Sequence, residues 1–431
     1  MSKYFKLFLA IILSLTLLIT ISCSTGGSED SDDYVTITSK TTHFEVNIDY
    51  SSGDRYTIGK EYGTKVLSAF PDYEKEVESV LVEMVAGLYL QDPNLTYEVL
   101  IERALEISKS AQSQYMNEIE GFASVLSGGT NNVLNDGKIS RDEFLILNFN
   151  PDICTTTSCS NVAVYGNRSV TGQTIVGRNT DWFPGTRGQV GYVNAVIYSK
   201  TGSKQVVSFG YLGIIGNLVA INSDGIFVSN LYSATGGTYS AVGRRSVMLD
   251  IREAIETSST VDEVAAFLGN PSRIYAYNNN MFIADKNVAK VLENDFDRNR
   301  ALRVEDSELN PGITWGITDA MACVNAFVLK GNFDNFTDFP SNSERWANFK
   351  SMLTQQGDTN NVDGIKTIMS YSKPGAGGND DGDIFWKYTV QSLVYSFSDN
   401  RLELWLHPAT GEFNDDPVYT SVTIPFLDET Q

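Results

Sequence analysis

Apolar residues recur at helical spacing through the first third of this chain and then give way to short alternating runs. In "YEKEVESVLVEMVAGLYL", Val77, Val80, Leu81, Met84 and Leu88 follow helical spacing, and "TYEVLIERALEISKSAQSQYMNEIEGFASVL" continues it. Two or more packed helices are therefore expected from Tyr56 to about Ser127. A Gly/Asn-rich loop follows, and Ser140 with Glu143 three residues on marks the capped start of a short amphipathic helix. After Cys159 the texture changes. "SNVAVYG", "QTIVGRN", "YVNAVIYS", "KQVVSFGYLG", "NLVAINSDGIFVSNLY" and "NNNMFIADKNVAKVLEND" are β-rich runs separated by Gly, Asn and Asp turns. One helix is expected from about Arg244 to Leu268 and another at "SERWANFKSMLTQQG", and "FWKYTVQSLVYSFSDNRLELWLHPATG" reads as a hairpin. A helical third followed by strands with inserted helices defines an α+β chain, with sheets on which helices pack.

The first 23 residues break this pattern. Lys3 and Lys6 precede an apolar run from Leu7 to about Ile21, closed by Ser22 and Cys23, which is an export signal. It resembles a bacterial lipoprotein signal, in which Cys23 is lipidated and becomes the first mature residue; an uncleaved membrane anchor is the alternative. Residues 1–22 are then the signal peptide. The acidic stretch "STGGSEDSDD" buries too little to order itself, so residues 23–40 read as a tether. The protein is expected to be exported and lipid-anchored to the bacterial cell envelope, touching the membrane through that anchor alone. About 400 residues remain, enough for one or two domains. The formal net charge of −21 excludes nucleic acid as a partner, because phosphate binding needs clustered Lys and Arg.

Candidate chemistry narrows by elimination. His43 and His407 are the two histidines, so neither an HExxH motif nor a His-rich zinc site can be built. No GxSxG elbow and no GxxxxGK[ST] loop is present. "NDGKISRDEF" fills the second half of an EF-hand loop with Asp136, Gly137, Ile139 and Glu143. The first half fails, since Leu134 stands where an oxygen ligand is needed; a Gly turn into a capped helix explains the same residues. No metal or organic cofactor is implied.

A hydrolase with so little histidine needs another base. Cleavage of the bond ahead of a Cys, Ser or Thr frees an α-amino group with a pKa of about 8 beside that residue's own side chain. Such a site needs the nucleophile at the start of a strand, a nearby Arg, and donors for an oxyanion. Cys159 opens the alternating run "CSNVAVYG", and the return strand "TIVGRNTDW" brings Arg178 and Asp181 back beside it. The cysteines number four: Cys23, Cys154, Cys159 and Cys323. With Cys23 acylated, at least one of the rest is odd, which flags a reactive thiol in an exported protein.

A Cys opening a strand, followed by Gly-x-x-x-x-Gly-Arg-Asn-x-Asp-Trp, resembles the cysteine branch of the N-terminal nucleophile hydrolases. That group holds choloylglycine hydrolases, penicillin V acylases, acid ceramidase-type amidases and acyl-coenzyme A:isopenicillin N acyltransferases. "GYLGIIGNLVAINSDGIFVSNLYSA", "LDIREAIETSSTVDEVAAFL", "MACVNAFVLKGN" with "SERW", and "TVQSLVYSFSDNRLELWL" are similar to later stretches of the acyltransferase group, so the likeness spans about Asp142 to Leu427.

The resemblance implies a four-layer αββα sandwich with a helical N-terminal propeptide region, residues 41–158, and a catalytic domain, residues 159–431. It implies cleavage between Ser158 and Cys159, Cys159 as nucleophile and, through its freed amine, as base. Arg178 would stabilise the thiolate, Asp181 hold the α-amino group, and Asn230 donate to the oxyanion. Asn325 would be a second polar anchor and Arg345 a charged neighbour. Ala326 departs from the acyltransferase pattern, which commonly has His there, and Asp319 competes with Asn325 for the late position. Cys154 is the rival nucleophile, since "CTT" resembles the acyltransferase start. Arg178 lies 19 residues after Cys159 but 24 after Cys154, which favours Cys159. Cys154 could then pair with Cys323 and tether the cleaved propeptide.

The expected function is hydrolysis or acyl transfer at a linear non-peptide amide of a small N-acyl substrate, through an acyl-enzyme. The alternative is a catalytically silent surface lipoprotein of the same fold that binds an acylated ligand or partner. Oligomeric state is not legible.

Overall fold

The computed structural model describes residues 33–154, 158–233, 238–409 and 413–428. The expected signal segment, Cys23, most of the acidic tether and Thr155 to Thr157 lie outside them. Tyr34 to Gln431 form one compact unit. Among the described residues no helix is long and apolar enough to cross a membrane.

The described chain opens with strands. β1 (Val35–Ser39) and β2 (Phe44–Asp49) pair antiparallel, and β2 then runs parallel to β5 (Asn194–Thr201). Residues 35–39 therefore do not belong to a disordered tether, and the region from residue 41 is not all helix. The reason is local: "VTITS" and "FEVNID" alternate, and Val46 and Ile48 turn into a core with Ala195 and Ile197. Helices follow as expected: α1 (Arg55–Ala69), α2 (Tyr73–Gln91), α3 (Tyr97–Ser108), α4 (Ser113–Ala123) and α5 (Arg141–Asn148), and a single further turn, α6 (Asn150–Ile153), adds to them. The capping box at Ser140 is present, with Ser140 Oγ accepting from Glu143 N at 3.2 Å and Glu143 Oε2 from Ser140 N at 2.7 Å. That capped turn also accounts for the EF-hand-like residues. Glu143 is held by Ser140 and the Tyr97 hydroxyl, and Asp136 by the Lys138 amide.

The remaining strands and helices build the layers. They are β3 (Ser160–Val164), β4 (Ile175–Asp181), β6 (Lys204–Tyr211), β7 (Val219–Asn222), β8 (Phe227–Tyr232), α7 (Val247–Thr257), α8 (Val261–Leu268), β9 (Asn279–Ala284), β10 (Ala289–Asn294) and β11 (Arg300–Arg303). Then come β12 (Ala320–Cys323), α9 (Pro340–Gln356), α10 (Val362–Met369), β13 (Thr389–Ser396), β14 (Arg401–Leu406), β15 (Thr420–Val422) and α11 (Pro425–Asp428). Nine strands form one sheet in the order β1-β2-β5-β6-β7-β8-β9-β10-β11, and six form the other as β12-β3-β4-β13-β14-β15.

Alternation along the strands sends one set of side chains between the sheets and the other outward. Val196, Phe209, Phe227 and Phe282 of the first sheet meet Ala163, Val176, Met321 and Leu393 of the second. Outside the first sheet, Met281 and Ile283 pack under Ile251 and Ile255 of α7 and Val264 of α8. Outside the second, Val162 and Val394 pack under Phe349 of α9 and Ile365 of α10. The result is the αββα sandwich that the resemblance implied. One expected helix is broken: Arg244 to Leu268 divides at Ser258–Thr260, where Thr260 Oγ1 accepts from Glu263 N at 3.2 Å and starts α8 afresh.

The helical first third is bound to this sandwich by more than the β2–β5 pairing. Glu118 of α4 faces Arg252 of α7 at 3.0 Å, both buried, and the Tyr50 hydroxyl donates to Glu118. Tyr115 donates to Glu256 at 2.7 Å, and Gln112 to Asp250 at 2.8 Å. Removing one partner of a buried pair of this kind costs about 3–5 kcal/mol, because the other charge is left without compensation.

Candidate active site

Cys159 stands one residue ahead of β3, and strand register decides what surrounds it. β3 pairs with β4 so that Ser160 lies opposite Asn179 and Asn161 opposite Arg178. On its other side β3 pairs with β12, Asn161 opposite Cys323, so Asn325 continues that strand alongside Cys159. Asp319 falls beyond the opposite end of the same pairing, where its carboxylate accepts from Asn167 N at 2.8 Å and its carbonyl from Tyr165 N. The late position near Cys159 is thus held by Asn325.

Each part of Cys159 has a distinct partner. Its N–H donates to Asn325 Oδ1 at 2.7 Å, its carbonyl accepts from Arg345 Nη1 at 2.9 Å, and its sulfur takes Arg178 Nη2 at 3.4 Å. Arg178 is fully buried and is aimed by two further acceptors, Asn161 Oδ1 at 3.2 Å and the Asn230 carbonyl at 2.9 Å. Asn325 is itself held: its Nδ2 donates to the Tyr232 carbonyl at 2.8 Å, and Arg345 Nη2 donates to its Oδ1 at 3.2 Å. Asp181 Oδ2 lies 3.8 Å from Arg345, and its Oδ1 accepts from Thr389 at 2.8 Å. Burial pushes the Asp181 carboxyl up to about 6 against the pull of Arg345 and Thr389, and burial also lowers the Arg345 guanidinium. In the intact chain the Cys159 amide therefore rests on Asn325, while Asp181 faces Arg345.

The motif around Arg178 is explained residue by residue. A Cβ on Gly177 would come within 2.5 Å of Met369 Cγ, so glycine lets α10 lie close on β4. Asn179 Nδ2 donates to the carbonyls of Met369 at 2.9 Å and Ile384 at 2.7 Å, tying the end of α10 to the strand. Sequence reasoning missed three supporting residues. Asn161 shares the face of Cys159 by strand alternation, and Asn342 precedes Arg345 by three on a helix; both spacings were readable. Asn342 accepts from Arg345 at 3.2 Å and donates to the Asn325 carbonyl at 3.2 Å. Thr389 had no local signal.

All six predicted residues, Cys159, Arg178, Asp181, Asn230, Asn325 and Arg345, come together. Asn230 lines the cavity at the thiol and its Oδ1 is buried without a hydrogen-bond partner among the described residues. Neither histidine joins them: His43 lies in the β1–β2 turn, and His407 follows β14 with Nδ1 against the Pro408 carbonyl. Cys154 and Cys323 are not paired with each other, because the fold places them in different cores. Burial pushes each of these thiols up to about 12.

The space at the thiol is small, about 20 Å³, and Pro151, Asp152 and Cys154 wall one side of it. Asp152 Oδ1 accepts from Val247 N at 2.9 Å, Oδ2 is buried without a partner among the described residues, and burial pushes this carboxyl up to about 7. Past Thr180 and Leu218 an apolar cavity of about 70 Å³ lies against Phe209, Ile214 and Met248. It shares Trp182, Leu147 and Ile214 with a further one of about 100 Å³, which reaches Val77, Val80 and Met84 of α2.

Residues 169–373 match the family model of acyl-coenzyme A:6-aminopenicillanic acid acyl-transferase, a stretch that holds Arg178, Asp181, Asn230, Asn325 and Arg345 and begins just after Cys159. The resemblance to that family drawn from the sequence is borne out over this stretch. No curated protein matches by sequence. Among solved structures, an N-acylethanolamine-hydrolyzing acid amidase ortholog from Caenorhabditis elegans is similar at 17% identity and TM-score 0.39, over 58% of this chain and 100% of its own. A variant of the conjugated bile acid hydrolase from Clostridium perfringens gives 12% and 0.38, over 62% and 92%. Penicillin V acylase from Agrobacterium tumefaciens gives 13% and 0.38, over 63% and 89%.

Proposed function

We propose that the protein is a self-processing cysteine amidohydrolase or acyltransferase that acts on linear N-acyl amides, with Cys159 as nucleophile. The observation that carries this reading is the threefold hold on Cys159: its N–H on Asn325, its carbonyl on Arg345 and its sulfur on Arg178. Any buried residue needs partners for its backbone N–H and carbonyl, but an inert cysteine has no need of a guanidinium at its sulfur or of a side-chain oxygen where a freed amine would stand.

In the first step the Cys159 sulfur attacks the Ser158 carbonyl, the Ser158–Cys159 C–N bond breaks, and the proton passes to the departing nitrogen, leaving a thioester. Water hydrolyses it, giving a Ser158 carboxylate and a free Cys159 amine and thiol. That amine stays beside Asn325 Oδ1 and is the base for the second reaction. There the thiol proton moves to the amine, the sulfur attacks the substrate carbonyl, and the Asn230 side-chain amide donates to the oxyanion. The protonated amine then gives its proton to the leaving nitrogen. Arg178 stabilises negative charge at the sulfur in both reactions. Water or an amine acceptor resolves the acyl-enzyme.

The apolar cavities beyond Leu218 favour an aliphatic acyl group, each buried methylene contributing about 0.8 kcal/mol. The narrow space at the thiol fits a precursor that opens only after Pro151, Asp152 and Cys154, which wall it, move aside. The buried ties from α4 to α7, not a disulfide, would keep the two pieces together. Export and lipidation at Cys23 belong to the same reading, which puts a secreted amidase on the cell envelope. Denaturing gel electrophoresis with N-terminal sequencing tests the core of it. The wild type is expected to yield a fragment starting at Cys159 and the Cys159→Ala variant to stay whole; an uncut wild type with an unreactive Cys159 thiol would leave the silent-lipoprotein alternative.

A further inference from the structure

A second cavity, of about 680 Å³, adjoins the one at the thiol, and Tyr232, Tyr277 and Asn278 line both. Its wall differs in kind from the apolar cavities on the other side of Cys159. Tyr239, Tyr275 and Phe296 supply rings, and Arg244, Arg298 and Arg300 supply charge.

Arg244 and Arg300 are unusual in a chain whose net charge is −21. Among the described residues, every arginine except Arg103, Arg178, Arg244 and Arg300 makes an ion pair with a carboxylate. All four exceptions border the two adjoining cavities or their walls. Arg178 faces the thiol. Arg103 stacks 3.7 Å over the Tyr239 ring and donates to the Ile153 carbonyl at 2.8 Å. Arg300 donates to the carbonyls of Asn270 at 2.6 Å and Arg273 at 2.9 Å, which hold its position without neutralising it. Arg244 has no side-chain partner among the described residues, and its Nε is buried. Burial lowers the basicity of Arg300, Tyr275 offsets part of that, and the neighbouring charge of Arg244 lowers it further. Arg298 already pairs with Asp295 at 3.3 Å. Asp297 is the one carboxylate on this lining among the described residues; it is exposed and forms no ion pair with either Arg244 or Arg300.

Two like charges kept near each other without a counter-ion mark a site that awaits an anion. We propose that this cavity takes the amine half of the substrate and that this half carries an acidic group (carboxylate, sulfonate or phosphate) bound by Arg244 and Arg300. The word substrate rests on the amide-cleaving reading above; the binding does not. Cys159 would then divide an apolar acyl side from a cationic, tyrosine-lined amine side.

The test uses full-length Cys159→Ala protein and short amine-half probes that fit the open cavity: N-acetylglycine, N-acetyltaurine, N-acetyl-O-phosphoethanolamine and neutral N-acetylethanolamine. Binding is followed by NMR titration at low salt. At least one acidic probe is expected to bind about fivefold or more tighter than the neutral one, and the preference should shrink in high salt. The three acidic arms distinguish carboxylate, sulfonate and phosphate. Arg244→Gln should abolish the preference while leaving the neutral probe unchanged, Arg244→Lys should keep part of it, and Arg300→Gln should weaken it. Thermal midpoints check that these variants fold. Equal binding of all four probes, or an Arg244→Gln variant that weakens the neutral probe as much as the acidic ones, overturns the proposal. Wild-type turnover is scored separately. Acid-selective binding without amide cleavage sinks the enzymatic reading and leaves the subsite standing; cleavage without acid selectivity does the reverse.

Discussion

Cys154 and Cys159 lie five residues apart, line the same small cavity and are both buried, yet their surroundings share almost nothing. Cys154 closes α6 in the apolar core of the helical first third. Its sulfur hydrogen-bonds to Asn150, at 3.4 Å from each of that residue's two oxygens, and burial pushes the thiol up to about 12 against the pull of the Arg103 guanidinium, which is not bonded to it. Cys159 sits where two strands bring a guanidinium to its sulfur and an amide oxygen to its nitrogen. Burial by itself makes a cysteine inert. A buried charge held in place by hydrogen bonds, as Arg178 is, makes the same burial useful, because low polarity strengthens the field that charge exerts.

The largest test of this contrast exchanges the two thiols. Cys159→Ala should abolish both self-cleavage and amide turnover, a loss beyond about 10³-fold, whereas Cys154→Ala should still be cut ahead of Cys159. Alkylation of the native wild type near pH 8, read by mass spectrometry, should label Cys159 and spare Cys154. Labelling of Cys154 first would reverse the assignment. Next in size, Arg178→Met removes the charge but keeps much of the volume. Turnover should fall about 10²-fold through the lost charge at the sulfur, and the thermal midpoint should fall as well, because Asn161 Oδ1 and the Asn230 carbonyl lose their donor.

A smaller effect is expected at Asn325. Asn325→Leu strands the Cys159 N–H and one bond from Arg345, which should cost about 1–3 kcal/mol in denaturant unfolding and slow cleavage along with it. An unchanged stability would show that water replaces the amide oxygen.

The smallest test concerns the segment that carries Cys154. Asp152 has a folded-state pKa of about 7, above the ordinary carboxyl value of about 4, so the folded protein binds its proton more tightly than the unfolded chain. Its contribution favours folding at low pH and is lost as pH rises from about 4 through about 7. Asp152→Asn keeps the acceptor for Val247 N and removes that titration. It should flatten the fall in stability over this range and leave the variant more stable at pH 8, by about 1–2 kcal/mol. Asp181, at about 6, supplies the remaining slope in the variant.

How much of this was legible depended on how far apart in sequence the partners lie. Cys159, Arg178 and Asp181 belong to one hairpin, and spacing alone brought them together. Asn325 and Arg345 came from resemblance, and strand register then separated Asn325 from Asp319 by the length of β3. The break at Ser258–Thr260 was written in its capping residues but masked by continuous helical spacing on either side. The alternation of β1 and β2 was readable in their own residues, but their place in the sheet was not, because a parallel partner some 150 residues away gives no local sign.

Alternating and helical periodicities, a shortage of histidine and one cysteine opening a strand were enough to determine an α+β sandwich with a thiol beside an arginine. Those properties depend on neighbours within a hairpin or a helical turn, and sequence order encodes them. Tertiary structure alone decided that Cys154 and Cys323 stay apart, that Glu118 and Arg252 bind the helical third to the sandwich, and that Arg244 and Arg300 share a cavity wall. Ion pairing and burial depend on which distant segments meet, and the identity of a residue does not say whether its charge finds a partner.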